Sequence, residues 1–201
     1  MYKPTYKYFT VEFSKDDICK DLNKVWKKEV ESVFASYGLS CRMNEDECKM
    51  ILETGNTEDE DIIKRARRVL GVLACGLSTQ WVKPILLGQI YCNAIRIEKP
   101  DGMSEEEFSS YFDDFIEKFE NLYELPRKWC CFVLYFEKCI TVLATSFQAT
   151  MAVRSLVQGS LFGDIPFQDS VEMVIRGIEM SEEEESLTKN LELFRSLLAT
   201  Q

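Results

Sequence analysis

At 201 residues the chain is long enough for one large domain or two small ones, and 46% hydrophobic with 29% charged residues is the composition of a globular fold. It contains no histidine, which removes the commonest general base and the usual partner of a Ser or Cys nucleophile, so an enzyme is not expected. The net charge of −10 is unevenly placed: residues 1–100 carry 16 basic and 15 acidic side chains, residues 101–201 carry 8 and 19, which argues against broad contact of the second half with a phosphate backbone.

No apolar run reaches the roughly 18–20 residues of a membrane span, and the opening MYKPTYKYF has no apolar h-region, so neither a membrane partner nor a secretory signal is expected. The eight cysteines (Cys19, Cys41, Cys48, Cys75, Cys92, Cys130, Cys131 and Cys139) fall mostly among apolar neighbours within predicted elements. Free buried thiols are therefore expected rather than disulfides. With no CxxC pair and no histidine, neither a structural zinc site nor any other cofactor is expected.

Residues 6–13 alternate as a strand, with Tyr6, Tyr8, Thr10 and Glu12 on one side and Lys7, Phe9, Val11 and Phe13 on the other. Ser14 or Asp16 caps a helix whose apolar face holds Leu22, Val25, Trp26, Val30, Val33, Phe34 and Tyr37, with Gly38 as the stop. Leu39, Cys41 and Met43 mark a half-buried strand, and Cys48, Met50 and Leu52 its hairpin partner. Thr57 and Glu60 have capping-box spacing before a helix that turns Ile62, Ala66, Val69, Leu70 and Leu73 inward and ends at Gly76. A short helix follows near residues 81–87.

The same order then begins again. Residues 89–97 alternate as a strand, and Ser104 with Glu107 forms a second capping box. The helix behind it carries Phe108, Phe112, Phe115, Ile116, Phe119, Leu122 and Tyr123 on one stripe, the spacing of a core face rather than a base-stacking platform. Pro126 breaks the region before a hairpin at 130–144 turning at Glu137-Lys138, and a helix entered through Thr145-Ser146 ends near 159–163. This repetition predicts an α+β protein of two tandem modules, residues 1–88 and 89–180. The remainder, 181–201, opens on Ser181 and four glutamates and carries Leu187, Leu191, Phe194 and Leu198 as a narrow amphipathic seam. That seam either docks on the fold or binds a partner.

The strand–strand–helix ending of residues 135–166 resembles the close of a type I KH module, the βααββα unit of many RNA-binding proteins. Ser146-Phe147-Gln148, then Arg154, then Gly163-Asp164-Ile165-Pro166 is similar to the end of the KH module in the partner-of-NOB family. Those proteins are small-subunit assembly factors that sit on pre-rRNA beside the nuclease maturing its 3′ end. The resemblance runs from about residue 25 to 180 in the same element order. Gly38-Leu39, Arg42-Met43-Asn44, Glu53-Thr54 with Asp59 or Asp61, residues 64–73, and Gly76-Leu77 resemble parts of the family's degenerate first module. The sibling tandem-KH assembly factor of the same pathway shares the first-module pattern and fits 146–148 and 163–166 less well.

One departure matters. Family members carry a glycine- and lysine-rich GxxG loop in the second module, whose backbone amides approach phosphates. This chain has no glycine between Gly102 and Gly159, and places Asp113, Asp114 and Glu117 in one continuous helix there. No phosphate clamp is carried over. Those three carboxylates lack a converging group and are not expected to hold a metal.

The resemblance implies two degenerate type I KH-like modules and a non-catalytic factor of small-subunit assembly. Its partners would be pre-rRNA near the 3′ end, the 3′-end endonuclease and other assembly factors, in the nucleus and nucleolus with cytoplasmic shuttling. The alternative is a protein–protein adaptor on a KH scaffold that has lost RNA binding. Candidate RNA contacts are Lys64, Arg65 and Arg68 in the densest basic run, Arg127 and Lys128 beside Trp129, and Arg154 on the closing helix. Each of these also fits a surface or ion-pairing role. Leu187, Leu191, Phe194 and Leu198 are the candidate partner contacts.

Overall fold

The computed structural model describes residues 7–15, 18, 21–55, 57–120, 131–136, 139–162, 169 and 171. Arg127, Lys128, Trp129, the 163–166 segment and the whole 181–201 seam lie outside them, as do Cys19 and Cys130.

The first sheet is built on one central strand. β1 (Tyr8–Glu12) exposes Tyr8, Thr10 and Glu12 and turns Phe9 and Val11 inward. It pairs antiparallel with β3 (Lys49–Glu53), Tyr8 opposite Glu53 and Val11 opposite Met50. β2 (Ser40–Asn44) pairs with the other side of β3, Cys41 opposite Leu52. The order is therefore β1-β3-β2, with β1 at an edge. Met50, Ile51 and Leu52 are all buried, as expected of a central strand covered on both faces. Cys48 is not part of that strand: it closes the hairpin turn at φ +52°, after Asn44 Oδ1 has accepted from the amides of Asp46 and Glu47. An Asx turn of this kind uses up the residues that simple alternation assigns to the strand.

Between β1 and β2 the chain is helical in three pieces: α1 (Leu22–Val25), a π-helical segment (Trp26–Glu31), and α2 (Ser32–Ala35). Ser14 does not cap it, and Asp16 lies outside the described residues; α1 starts after Asp21, whose carboxylate pairs with Lys24 at 2.6 Å. Leu22, Trp26, Val30 and Phe34 are buried, each four residues from the last. In an α-helix of about 3.6 residues per turn that spacing drifts by roughly 40° a step, and the wider π turn brings the stripe back into line. Trp26 Nε1 donates to Glu31 Oε1 at 3.0 Å across the widened turn. Gly38 at φ +73° lets the Leu39 amide reach back to the Phe34 carbonyl at 3.2 Å, closing the helix with a Schellman turn.

α3 (Glu60–Leu73) starts two residues later than the capping-box spacing implied. Asp59, not Thr57, is the cap: its Oδ1 accepts from the amides of Asp61 at 2.9 Å and Ile62 at 3.1 Å. Ile63 is buried and Ile62 only half-buried, while Ala66, Val69, Leu70 and Leu73 face inward as expected. A 3₁₀ turn (Thr79–Trp81) and α4 (Val82–Leu86) complete this part.

The second sheet repeats the first. β4 (Tyr91–Arg96), α5 (Glu105–Glu120), β5 (Cys131–Phe136), β6 (Cys139–Ala144) and α6 (Phe147–Phe162) follow in order. The sheet runs β4-β6-β5, again first–third–second, with all six residues of β6 buried. The fold is thus α+β, with two three-stranded antiparallel sheets in KH-like modules. By compactness the chain divides into residues 1–94 with 135–141, and residues 95–134 with 142–201. Buried parity in and around β4 changes between Cys92 and Ile95: Ile90 and Cys92 are covered on one side, Ile95 and Ile97 on the other. Strict alternation along 89–97 does not anticipate this.

The box at α5 forms as its spacing predicts. Ser104 Oγ accepts from the Glu107 amide at 3.1 Å, and Glu107 Oε2 accepts from the Ser104 amide at 2.9 Å. Phe108, Phe112 and Phe115 are buried, with Phe108 and Phe112 rings stacked at 6.2 Å. Ser146 Oγ caps α6 by accepting from the Ala149 amide at 3.1 Å.

Candidate nucleic-acid interface

Helical geometry sorts the basic run of α3 before any ligand is considered. With Ile63, Ala66, Val69, Leu70 and Leu73 facing the core, the residues at 64, 67 and 68 fall together on the outer face and 65 falls to the side. The structure agrees: Lys64, Arg67 and Arg68 are exposed and Arg65 is half-buried. Arg65 donates through one guanidinium nitrogen to the Leu86 carbonyl at 2.8 Å, a last-turn acceptor of α4. Gly88 follows at φ +73°, and a Cβ there would stand 2.8 Å from the same nitrogen. Arg65 thus ties α3 to the end of α4.

The outer cations border a cleft of about 580 Å³ between α3 and the edge strand β1, lined by Tyr8, Phe9, Thr10, Val11, Lys64, Arg67, Arg68 and Leu70. The Arg67 guanidinium lies over the Phe9 ring, 4.3 Å from its centroid, a cation–π contact. Tyr8 is 56% exposed at the cleft end of the strand. Lys64 approaches Asp61 at 3.4 Å; such an exposed pair is worth little and leaves the charge usable. Lys7 bridges Glu60 nearby. A single-sign cleft edged by aromatic rings can bind a phosphate backbone and stack bases.

Sequence reasoning found Lys64 and Arg68 and passed over Arg67, Tyr8 and Phe9. The helical spacing of Lys64, Arg67 and Arg68 was the available signal for the first. The strand partners come from more than 50 residues away, and nothing local announces them.

On α5, Asp113, Asp114 and Glu117 are exposed on a single uninterrupted helix. A carboxylate face there repels phosphate. Tyr111, on the same helix, donates from its hydroxyl to the Ser160 and Leu161 carbonyls at 3.2 and 3.4 Å, which ties α5 to the last turn of α6. Arg154 is half-buried on α6 and is engaged within the fold. It belongs to the other compact unit from the α3 cations.

Cys41, Cys48, Cys75, Cys92, Cys131 and Cys139 are not joined in disulfides. Burial pushes the Cys92 thiol up to about 12, with the positive charge of Arg68 pulling weakly the other way. Cys41 is likewise pushed up to about 12, first by burial and then by the Glu31 carboxylate. Among the described residues no cluster of His, Cys, Asp and Glu could hold a metal ion, and no helix is long and apolar enough to cross a membrane.

No family model matches the chain, and no curated protein matches its sequence. Solved structures do match its fold. A protein of unknown function from Aeropyrum pernix aligns with a TM-score of 0.66 at 13% identity, over 92% of this chain and 99% of that one. Dim2p from Pyrococcus horikoshii aligns at 0.55 and 14% identity, over 85% and 99%. A chain from the complex of a/eIF2alpha, aDim2p and rRNA of the same organism aligns at 0.56 and 12%, over 87% and 95%. At these identities the likeness is one of fold.

Proposed function

We propose that this chain is a non-catalytic assembly factor of the small ribosomal subunit that binds pre-rRNA near its 3′ end through its first KH-like module. The observation that carries the reading is the cation-lined cleft of α3 and β1 on a fold that matches Dim2p over nearly that protein's whole length. The rRNA in the aDim2p complex supports the choice of ligand. The charge distribution supports the choice of module, because the second half carries the acidic excess. Its protein partners are the 3′-end endonuclease and neighbouring assembly factors, and it works in the nucleus and nucleolus with cytoplasmic shuttling.

A second reading rests on α5. An acidic helix stands where a phosphate-clamping loop belongs, as suits an adaptor that meets proteins rather than RNA. Purifying the tagged full chain from its own cells separates the two. Recovery of pre-rRNA, reduced by combined Lys64→Ala, Arg67→Ala and Arg68→Ala substitution, is the expected result. Recovery of assembly proteins without RNA, unchanged by the substitutions, would establish the adaptor instead.

A further inference from the structure

We infer that the cleft between β1 and α3 takes single-stranded RNA with an unpaired base laid on the Arg67 guanidinium, which makes it a stacking site and not only a patch of positive charge. The inference rests on the function proposed above and adds the mode of binding and the strandedness of the ligand.

Three features of the cleft point the same way. Arg67 is exposed, yet its guanidinium is held over Phe9 at 4.3 Å rather than left to swing in solvent. The ring takes one side of the guanidinium and fixes its position, and its other side can receive a second planar group. Guanidinium planes and aromatic rings are the surfaces on which splayed-out bases stack. Next, Tyr8 leaves more than half of its area exposed on the adjoining strand, and it lines the cleft with Arg67. A second ring beside the first plane suits a neighbouring base. Finally, Lys64 and Arg68 lie one helical turn apart on the same face of α3 and flank Arg67, so cations for the phosphates run alongside the stacking plane. Among the described residues β1 pairs with a strand on one side only, so it stands at the edge of its sheet beside the cleft. A duplex offers none of its base faces to such a surface.

An acidic peptide added to the β1 edge would use the same cations. It would gain little from the planar shape of a guanidinium held over a ring, and a Lys at that position would serve it as well. The distinction between Arg and Lys therefore decides the matter.

The test uses the full chain, a labelled ten-nucleotide oligouridylate or oligoadenylate RNA, a ten-base-pair RNA duplex, and a ten-residue oligoglutamate peptide as competitor. Arg67→Lys is expected to weaken single-strand binding roughly ten-fold with no change in the salt slope, since the charge is kept. Lys64→Gln is expected to lower that slope by about 0.7. Duplex should bind far more weakly than single strand. Melting curves matching wild type establish that both variants are folded. Single-strand affinity unaffected by Arg67→Lys, duplex binding equal to single strand, or displacement by oligoglutamate at concentrations comparable to RNA would each overturn the stacking site. If wild-type chain still binds pre-rRNA in those cases, the proposed function stands and only the cleft falls. If wild type binds no RNA at all, both fall.

Discussion

Single residues of this chain are legible when their role is local and opaque when it is not. Gly71 sits inside α3 on the outer face, and a Cβ built there meets no atom within 4 Å. An interior helical glycine costs roughly 0.5–1 kcal/mol relative to alanine, so Gly71→Ala should stabilise the protein by about that much in urea denaturation. No gain would mean that the helix is not formed there. Cysteine reactivity should follow burial. Cys48, in its half-exposed turn, should be alkylated in the native protein at pH 8, while Cys41 and Cys92, with thiols pushed up to about 12, react only after unfolding. Peptide mapping by mass spectrometry reads all three, and early labelling of Cys92 would contradict its placement. That Cys41 and Cys92 would be buried was readable from their alternation with polar residues in predicted strands. That Cys48 would be a turn residue was not, because the deciding contacts are backbone amides bonding to Asn44.

At the scale of elements, most boundaries follow from patterns a few residues long. The strands expected at 39–44 and 48–53 are found as Ser40–Asn44 and Lys49–Glu53, and the closing hairpin as Cys131–Phe136 and Cys139–Ala144. The Ser104–Glu107 box formed as its spacing required, whereas at α3 the nearby Asp59 displaced Thr57, since an aspartate at that position caps at least as well. The Ser104 cap gives a measurable handle. Ser104→Ala should cost about 1 kcal/mol. Glu107 is held below the ordinary carboxylate range by the Ser104 amide first and its hydroxyl second. A carboxyl depressed on folding adds stability above its unfolded value and loses it as pH falls through the folded one. The stability gap between wild type and Glu107→Gln should therefore be present at pH 7 and shrink below about pH 4. A gap independent of pH would show that the carboxylate charge plays no part. The same helix predicts a negative result: Asp114→Gly with Glu117→Gly should cost about 1 kcal/mol each in helix propensity and gain no RNA affinity, because Asp113 stays.

For the whole molecule, the order of elements was readable because it repeats, and the repeat extends to strand order, first–third–second in both sheets. The candidate interface was only half readable. Its helix side is a spacing within one element, but its strand side exists only once β1 has paired with β3 across some 40 residues of chain. The mild charge of the first half conceals a local concentration of cations, since the acidic residues 58–61 gather at the start of α3 and Lys64, Arg67 and Arg68 follow along it. Generic RNA affinity should accordingly be weak and should fall with salt at a slope near −2, as three neutralised phosphates require for a single strand. A slope near zero would remove the phosphate contacts altogether. A different consequence follows from the π-helical turn at Trp26–Glu31. The chain holds one residue more between Leu22 and Phe34 than an unbroken α-helix with that buried face can use, and the bulge stores it. Deleting exposed Lys28 would reset the buried spacing to four, three and four, which a regular helix accepts. That shortened protein should melt within a few degrees of the full-length one. Deleting Lys64 from α3 should unfold it, because no spare residue exists there and the inward face beyond it would turn by about 100°. Length, then, is negotiable at one turn of this molecule and fixed at the other.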